Sequence, residues 1–340
     1  MIKDALGAVY HDTDNNLILD AISGAYNQPL GHCSRRIEGI IRNCLGHLDT
    51  SYREENKSSS LLEQGLNMYG HDKRYWNFLT TGAEAVERAL MLVPLKYHRI
   101  VMFEGAFHGK SFMTAFANYK NIPWKQAVEI VTVPWMGFDR LKELEFDAVI
   151  FEPVQGVGGN IASKAEMQTL RRICNDKKAK LVADEVYCGL WRCGYFLVSD
   201  ICCPDIVAIS KGLGGPIPIS AVGCLEKSEP LVGWYTTNGN NALANSVALK
   251  MLPLLYNFGM VTRSIQLPDY LKSCNHKIKG ASFNLKVKDH WTGFEVKDEL
   301  RKLNIIVGGS NDYIRLAPCE PMLEDHSSLN HLFSTIKAYI

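Results

Sequence analysis

Between residues 99 and 226 the chain returns again and again to short runs with almost no polar interruption: RIVMFEG, VEIVTVP, FDAVIFEPV, KLVADEV, DIVAIS and ISAVGCLE. A strand with one wet face alternates polar and apolar residues, whereas a run that is apolar at successive positions is buried on both faces. The segments between them carry a different period. GAEAVERALMLVPLKY sets Val86, Leu90 and Val93 at helical spacing, and KAEMQTLRRICNDKK also reads as a helix. Buried strands alternating with helices predict an α/β fold with a mostly parallel sheet covered by helices on both faces.

The flanks are less regular. AVYHDTDNNLILDA reads as a hairpin turning at Asp14, Asn15 and Asn16, KSSSLLEQGLNMYG as a helix and YWNFLT as a strand. After the helix ALANSVALKMLPLLY the chain is more polar through residues 257–290. A helix at DELRKLN, the strand DYIRLAP and a closing helix with Leu329, Leu332, Phe333 and Ile336 on one face follow. This predicts a large domain of residues 50–250 and a smaller α/β domain built from residues 1–49 and 251–340.

Bulk properties exclude several classes. With 340 residues and 46% hydrophobic content, the chain can bury a sizeable core. Its 37 basic and 36 acidic residues balance, so nucleic acid is not indicated as a partner and an anionic membrane surface is not favoured. No apolar run is long enough to span a membrane, and MIKDALGAVYHD lacks the order of a signal peptide; the expected location is cytoplasmic. The 10 cysteines are then thiols, and without a CxxC spacing no metal site is expected.

The chemistry concentrates where apolar runs end. Lys211 closes DIVAIS and is followed at once by the glycine-rich GLGGP. Alone it could be a lysine extending into water. Asp184 and Glu185 close KLVADEV, on the rim where open α/β sheets bind ligands. They could be ordinary caps or ion pairs, or one could face a cationic ligand atom. Pyridoxal phosphate needs both groups, a lysine amine for its aldehyde and a carboxylate at its ring nitrogen. TTGAEAVERAL adds a phosphate cup, a strand ending at Thr80 and Thr81 with Gly82 opening a helix, and EGAFHGK adds an aromatic, Phe107. GAFHGKS has three residues where a P-loop needs four, and GVGGNI and GLGGPI each lack a glycine of the dinucleotide fingerprint.

Taken in order, TTGAEAVERAL, FEGAFHGKS, FEPVQGVGG, VADEVYCGLWRCG, PDIVAISKGLGG, TTNGNNAL and YIRLAP resemble the class III aminotransferases, the ornithine and 4-aminobutyrate type within the fold type I pyridoxal phosphate enzymes. The resemblance runs from about Gly7 to the C-terminus. It implies that Lys211 forms the internal aldimine and Asp184 pairs with the pyridinium nitrogen. Thr81, Gly82 and Ala83 would hold the phosphate, Phe107 and Val186 would flank the ring, and Tyr187 would stand near its phenolic oxygen. His108 and Glu152 would complete the cofactor's surroundings, Thr237 would reach the phosphate of a neighbouring subunit, and Arg315 would bind a substrate carboxylate. A homodimer with shared active sites and a small-molecule amino substrate are implied with them.

Two departures bear on the reaction. Val157 stands where the family carries a glutamate that pairs with the arginine at Arg315, and the chain begins close to the first hairpin, which suggests an open entrance. Transamination is the leading expectation. The alternative is an isomerase (aminomutase) or decarboxylase acting on an α-amino acid group, carried on something as bulky as a nucleotide. A non-enzymatic member of the family is opposed by the presence of both Lys211 and Asp184.

Overall fold

The apolar runs become strands where they were expected, although one of them runs backwards. The computed structural model describes residues 1–45, 57–111, 128–227, 236–272 and 276–340. The chain begins with β1 (Ile2–Leu6), β2 (Val9–Asp12) and β3 (Leu17–Asp20). It continues with β4 (Tyr75–Leu79), β5 (Arg99–Phe103), β6 (Glu129–Val133), β7 (Ala148–Phe151), β8 (Lys180–Asp184), β9 (Ile206–Ile209) and β10 (Ser220–Cys224). β11 (Lys277–Lys279), β12 (Ser282–Lys286), β13 (Ile305–Ile306), β14 (Gly308–Gly309) and β15 (Tyr313–Leu316) complete the set among the described residues. Two compact units result: Cys44–Gly189 with Leu197–Leu249, and Met1–Asn43 with Leu190–Phe196 and Lys250–Ile340.

The larger unit holds a seven-stranded sheet in the order β4-β10-β9-β8-β7-β5-β6. β6, β5, β7, β8 and β9 are parallel, and all four residues of β7 and of β9 are buried. β10 is antiparallel to both of its neighbours. Apolar patterning reports burial but not direction; the link from Ile209 to Ser220 is shorter than the dozen or so residues that a parallel crossover requires. Because β10 is reversed, β4 points the same way as β9, and its C-terminal end joins the same rim.

The helix Gly82–Met91 seals one face by pressing Ala85, Val86, Ala89 and Leu90 onto Ile100, Met102, Ile150, Val182, Ala208 and Val222. Each large aliphatic side chain buried there contributes roughly 1.5–3 kcal/mol. The helix Lys164–Lys177 starts at Ser163 with a capping box to Glu166 and buries Met167, Leu170, Ile173 and Cys174.

The smaller unit contains two four-stranded sheets, β1-β2-β3-β13 and β11-β12-β15-β14. The expected hairpin is present: Asp12 Oδ1 accepts from the backbone N–H groups of Asp14 and Asn16, and Asn15 takes a φ of 60°. The closing helix, His326–Ile336, buries Leu329, Leu332, Phe333 and Ile336 as the periodicity requires. The turn after β3 was not foreseen. Ser23, Gly24, Ala25 and Tyr26 all have positive φ, at 46°, 57°, 56° and 73°. Buried Asp20 anchors this left-handed turn, accepting from Ile22 N at 3.0 Å, Gly24 N at 2.6 Å and His32 Nε2 at 2.7 Å. Burial alone would raise the Asp20 pKa, but these bonds hold it below the usual carboxylate range.

Candidate active site

Strand register brings the sequence-derived residues of the larger unit onto one rim. Phe151 is level with Ala183 and Asp184 with Ala208, so Glu152, Asp184 and, just beyond Ile209, Lys211 emerge from adjacent strands. β5 ends beside them at Phe103 and leads into Gly105 to His108. Thr80, Thr81 and Gly82 follow β4 on the same edge. The two glycine-bearing loops are tied together: Gly158 N donates to Gly105 O at 2.9 Å, and Gln155 Nε2 donates to Glu104 O at 2.9 Å.

Three buried ionisable groups, His108, Asp184 and Glu152, lie close enough below this rim to influence one another's charge. His108 and Asp184 are 2% and 3% exposed, and His108 Nδ1 donates to Asp184 Oδ2 at 2.8 Å. Burial works against an imidazolium, but the bond and charge of Asp184 outweigh it, so the His108 pKa is raised. Val186 N donates to the other Asp184 oxygen at 3.0 Å. Glu152 accepts from Phe107 N at 2.9 Å and Gly156 N at 3.0 Å. Burial pushes its carboxyl up, and although His108 pulls it back, Asp184 adds to the upward push. Asp184 is therefore the carboxylate hydrogen-bonded to His108, while Glu152 fixes two loop amides.

Lys211 sits in the left-handed region at φ 47°, and its Nζ lies 5.5 Å from the centroid of the Tyr187 ring. Ser210 Oγ donates to Ile219 O at 3.0 Å and pins the strand end that presents the lysine. Tyr187 is buried against Gly156.

The cup at the start of the helix Gly82–Met91 is defined by what it excludes. A Cβ on Gly82 would stand 2.8 Å from Val186 Cγ1, so only glycine lets the backbone lie this close to Val186. Thr81 is the N-cap: its hydroxyl accepts from Glu84 N at 3.2 Å, while Glu84 Oε2 accepts from Thr80 N and Thr81 N. The N–H groups of Gly82 and Ala83 lie in the first turn, where a helix offers them no internal acceptor. An anion there meets aligned N–H dipoles.

Other residues lie elsewhere. Thr237 is exposed in a turn tied to β4 by Asn240 N donating to Phe78 O at 3.1 Å. Arg315 belongs to β15 in the smaller unit, where its Nη2 donates to Gly309 O at 3.0 Å. Val157 is 38% exposed on the loop after Glu152. Glu185 turns away into structure: it accepts from Ser199 N at 2.6 Å and Cys188 Sγ at 2.9 Å, and burial pushes its carboxyl up to about 7. The roles of His108 and Glu152 came from resemblance alone; their common signal is a polar residue in a segment where neighbours are apolar.

These features fit pyridoxal phosphate: a glycine cradle at a helix start, a lysine at a strand end, a carboxylate kept beside a histidine, and a His108 Nε2 that is buried without a partner. The fold and rim thus define a fold type I α/β transferase. The class-III aminotransferase family model matches residues 1–305. The acetylornithine aminotransferase of Methanocaldococcus jannaschii is 26% identical, covering 100% of this chain and 88% of that protein. The acetylornithine aminotransferase of Clostridium acetobutylicum is 31% identical, covering 80% of this chain and 77% of its own length. In fold, the ornithine aminotransferase of Toxoplasma gondii superposes with a TM-score of 0.81 at 22% identity, covering 99% of this chain and 89% of that one.

The chain belongs to the class-III aminotransferases, enzymes dependent on pyridoxal phosphate. Its relatives transfer amino groups, which favours transamination over the rearrangement or decarboxylation that Val157 raised.

Proposed function

We propose that this aminotransferase acts on an amino compound carrying both a primary amine and a carboxylate, with Lys211 as the catalytic amine. The observation that carries the reading is the placement of Lys211 just past the level of Asp184, on the rim that also bears the Gly82 cradle. Relatives named acetylornithine aminotransferase and succinylornithine transaminase make an acylated ornithine the first substrate to try. When bound, pyridoxal phosphate supplies an aldehyde for the amine and a ring that accepts the electrons of a broken C–H bond.

The chain's own residues do the rest. Gly82 and Ala83 would hold the phosphate through their N–H groups, and Phe107 and Val186 would lie beside the ring. Asp184, fixed by His108 Nδ1–H and Val186 N–H, would offer its carboxylate to the ring nitrogen. Tyr187 would offer its phenol as a hydrogen-bonding group. Lys211 Nζ would take the proton from the substrate carbon and hold it for the carbon that receives it. Arg315 receives the substrate carboxylate as a charge-assisted pair. Two copies of the chain assemble, with Thr237 of one completing the phosphate site of the other.

The test follows the visible absorbance of the cofactor-loaded protein as N-acetylornithine is added without a keto acid. Lasting loss of the band, restored by 2-oxoglutarate, is the expected result. A band that recovers without acceptor while the amino acid rearranges or loses carbon dioxide overturns it. Lys211→Ala should abolish both the band and turnover.

A further inference from the structure

β8 ends at Asp184, and the residues that follow bend at once: Val186 N donates to Asp184 Oδ1 at 3.0 Å, and Tyr187 comes next, 4% exposed. The Tyr187 ring lies against a backbone that carries no side chain. A Cβ on Gly156 would stand 3.0 Å from Tyr187 Cγ and 3.3 Å from both Cδ1 and Cδ2. Near-equal distances to three ring atoms describe contact with a ring face, so a side chain at Gly156 would displace the ring. Gly156 is itself held, because its N–H donates to Glu152 Oε1 at 3.0 Å. The loop that follows β7 therefore fixes where this ring can lie.

Lys211 reaches the same ring from the end of β9. Its left-handed backbone, φ 47°, is braced by Leu213 N donating to Ser210 O at 3.2 Å and Ser210 Oγ donating to Ile219 O at 3.0 Å. Its Nζ stands over the Tyr187 ring, 5.5 Å from the centroid. A cation within about 6 Å of an aromatic centroid is attracted by the negative face of the ring, and more strongly where water is excluded. The rim carboxylates already have donors of their own. Asp184 accepts from His108 Nδ1 and Val186 N, one at each oxygen, and Glu152 accepts from Phe107 N and Gly156 N in the same way. The aromatic face is thus a partner that the chain sets directly beside the lysine nitrogen.

We infer that Tyr187 is a positioning residue for the proton carrier: the face of its ring, rather than its hydroxyl, holds Lys211 Nζ and steadies the positive charge that the nitrogen gains with the substrate's proton. In that step the substrate C–H bond breaks, the proton passes to Nζ, and the electron pair stays with the carbon and the cofactor joined to it. Nζ is neutral before the step and an ammonium after it, so only the second state gains from the ring. A neighbour that favours the ammonium makes the amine a stronger base. The inference rests on the proposal that Lys211 is the catalytic amine.

The test is a pH titration of the visible band of the cofactor-loaded protein, which reports the charge on the lysine nitrogen without turnover. Tyr187→Leu removes the ring and should move the midpoint down by about one pH unit, a tenfold loss of proton affinity in keeping with a desolvated cation over a ring. Tyr187→Gln keeps a polar group without a ring; it should do the same, and it serves where the leucine variant does not fold. Tyr187→Phe keeps the ring and should not lower the midpoint. Alongside, loss of the band is followed with N-acetylornithine deuterated at the carbon that bears the transferred amine. It should slow about 10-fold in the leucine and glutamine variants, with a larger isotope effect than in the unsubstituted protein. A residue that only fills space would move neither the midpoint nor the isotope effect. A midpoint unchanged in Tyr187→Leu and Tyr187→Gln, or lowered equally in Tyr187→Phe, overturns the inference. If Lys211→Ala keeps the band, the proposed role of Lys211 fails and the inference with it. If Lys211→Ala lacks the band while Tyr187→Leu titrates like the unsubstituted protein, only the inference fails.

Discussion

Asp184 is buried at the mouth of the sheet, and its side-chain partner there is His108. His108→Phe keeps the volume and removes the Nδ1–H. We expect kcat to fall about 10- to 100-fold, the usual range for removing an orienting partner of a working group. Single-turnover absorbance and equilibrium dialysis of the cofactor would separate slower chemistry from weaker binding. The residues on this rim were legible because each follows an apolar run, which fixes both its element and the edge it reaches. The left-handed turn after β3 was not, because nothing periodic in SGAY announces four successive positive φ values.

At the scale of an element, the helix Gly82–Met91 combines structural and binding roles in its first turn. Thr81→Ala should cost about 1 kcal/mol in denaturant unfolding, the ordinary value of an N-cap hydroxyl. Gly82→Ala must instead displace Val186 and should cost about 1–3 kcal/mol as an overpacked contact. Cofactor affinity should fall in Gly82→Ala, which dialysis can measure, because the added methyl changes the backbone surface offered to the phosphate. The capping pattern was readable in TTGAE, where threonine precedes glutamate by three positions. The reversal of β10 was readable only from the length of the link before it.

For the molecule as a whole, pH should act through Glu185. Its carboxyl is buried and titrates near about 7 rather than in its ordinary range, so the folded state favours the protonated form. A raised pKa contributes stability that is complete below the unfolded value and is lost as pH rises through the folded one. Glu185→Gln removes that titration. Denaturant unfolding between pH 5 and pH 8 should therefore show the unsubstituted protein losing stability relative to the variant, by on the order of a few kcal/mol. Parallel curves for the two proteins would contradict the assignment. The segment Leu190–Phe196 shows why linear order does not fix the units. It is flanked by the larger unit but joins the smaller one, where Arg192 O accepts from Ala281 N at 2.8 Å and Trp191 packs edge-on to Tyr256.

The reversed strand also sets an order of events for a chain emerging from a ribosome. Among the described residues β4 is bonded in the sheet only to β10, so Tyr75–Leu79 must wait for Ser220–Cys224 before it has a place. Until then the turn that follows β4 has no fixed relation to the strand ends carrying Asp184 and Lys211. Nascent chains stalled short of residue 220 should fail to capture the cofactor, and those extended well beyond β10 should acquire it. Synthesis thus delivers Lys211 late in the unit, and the strand that completes the sheet follows almost at once.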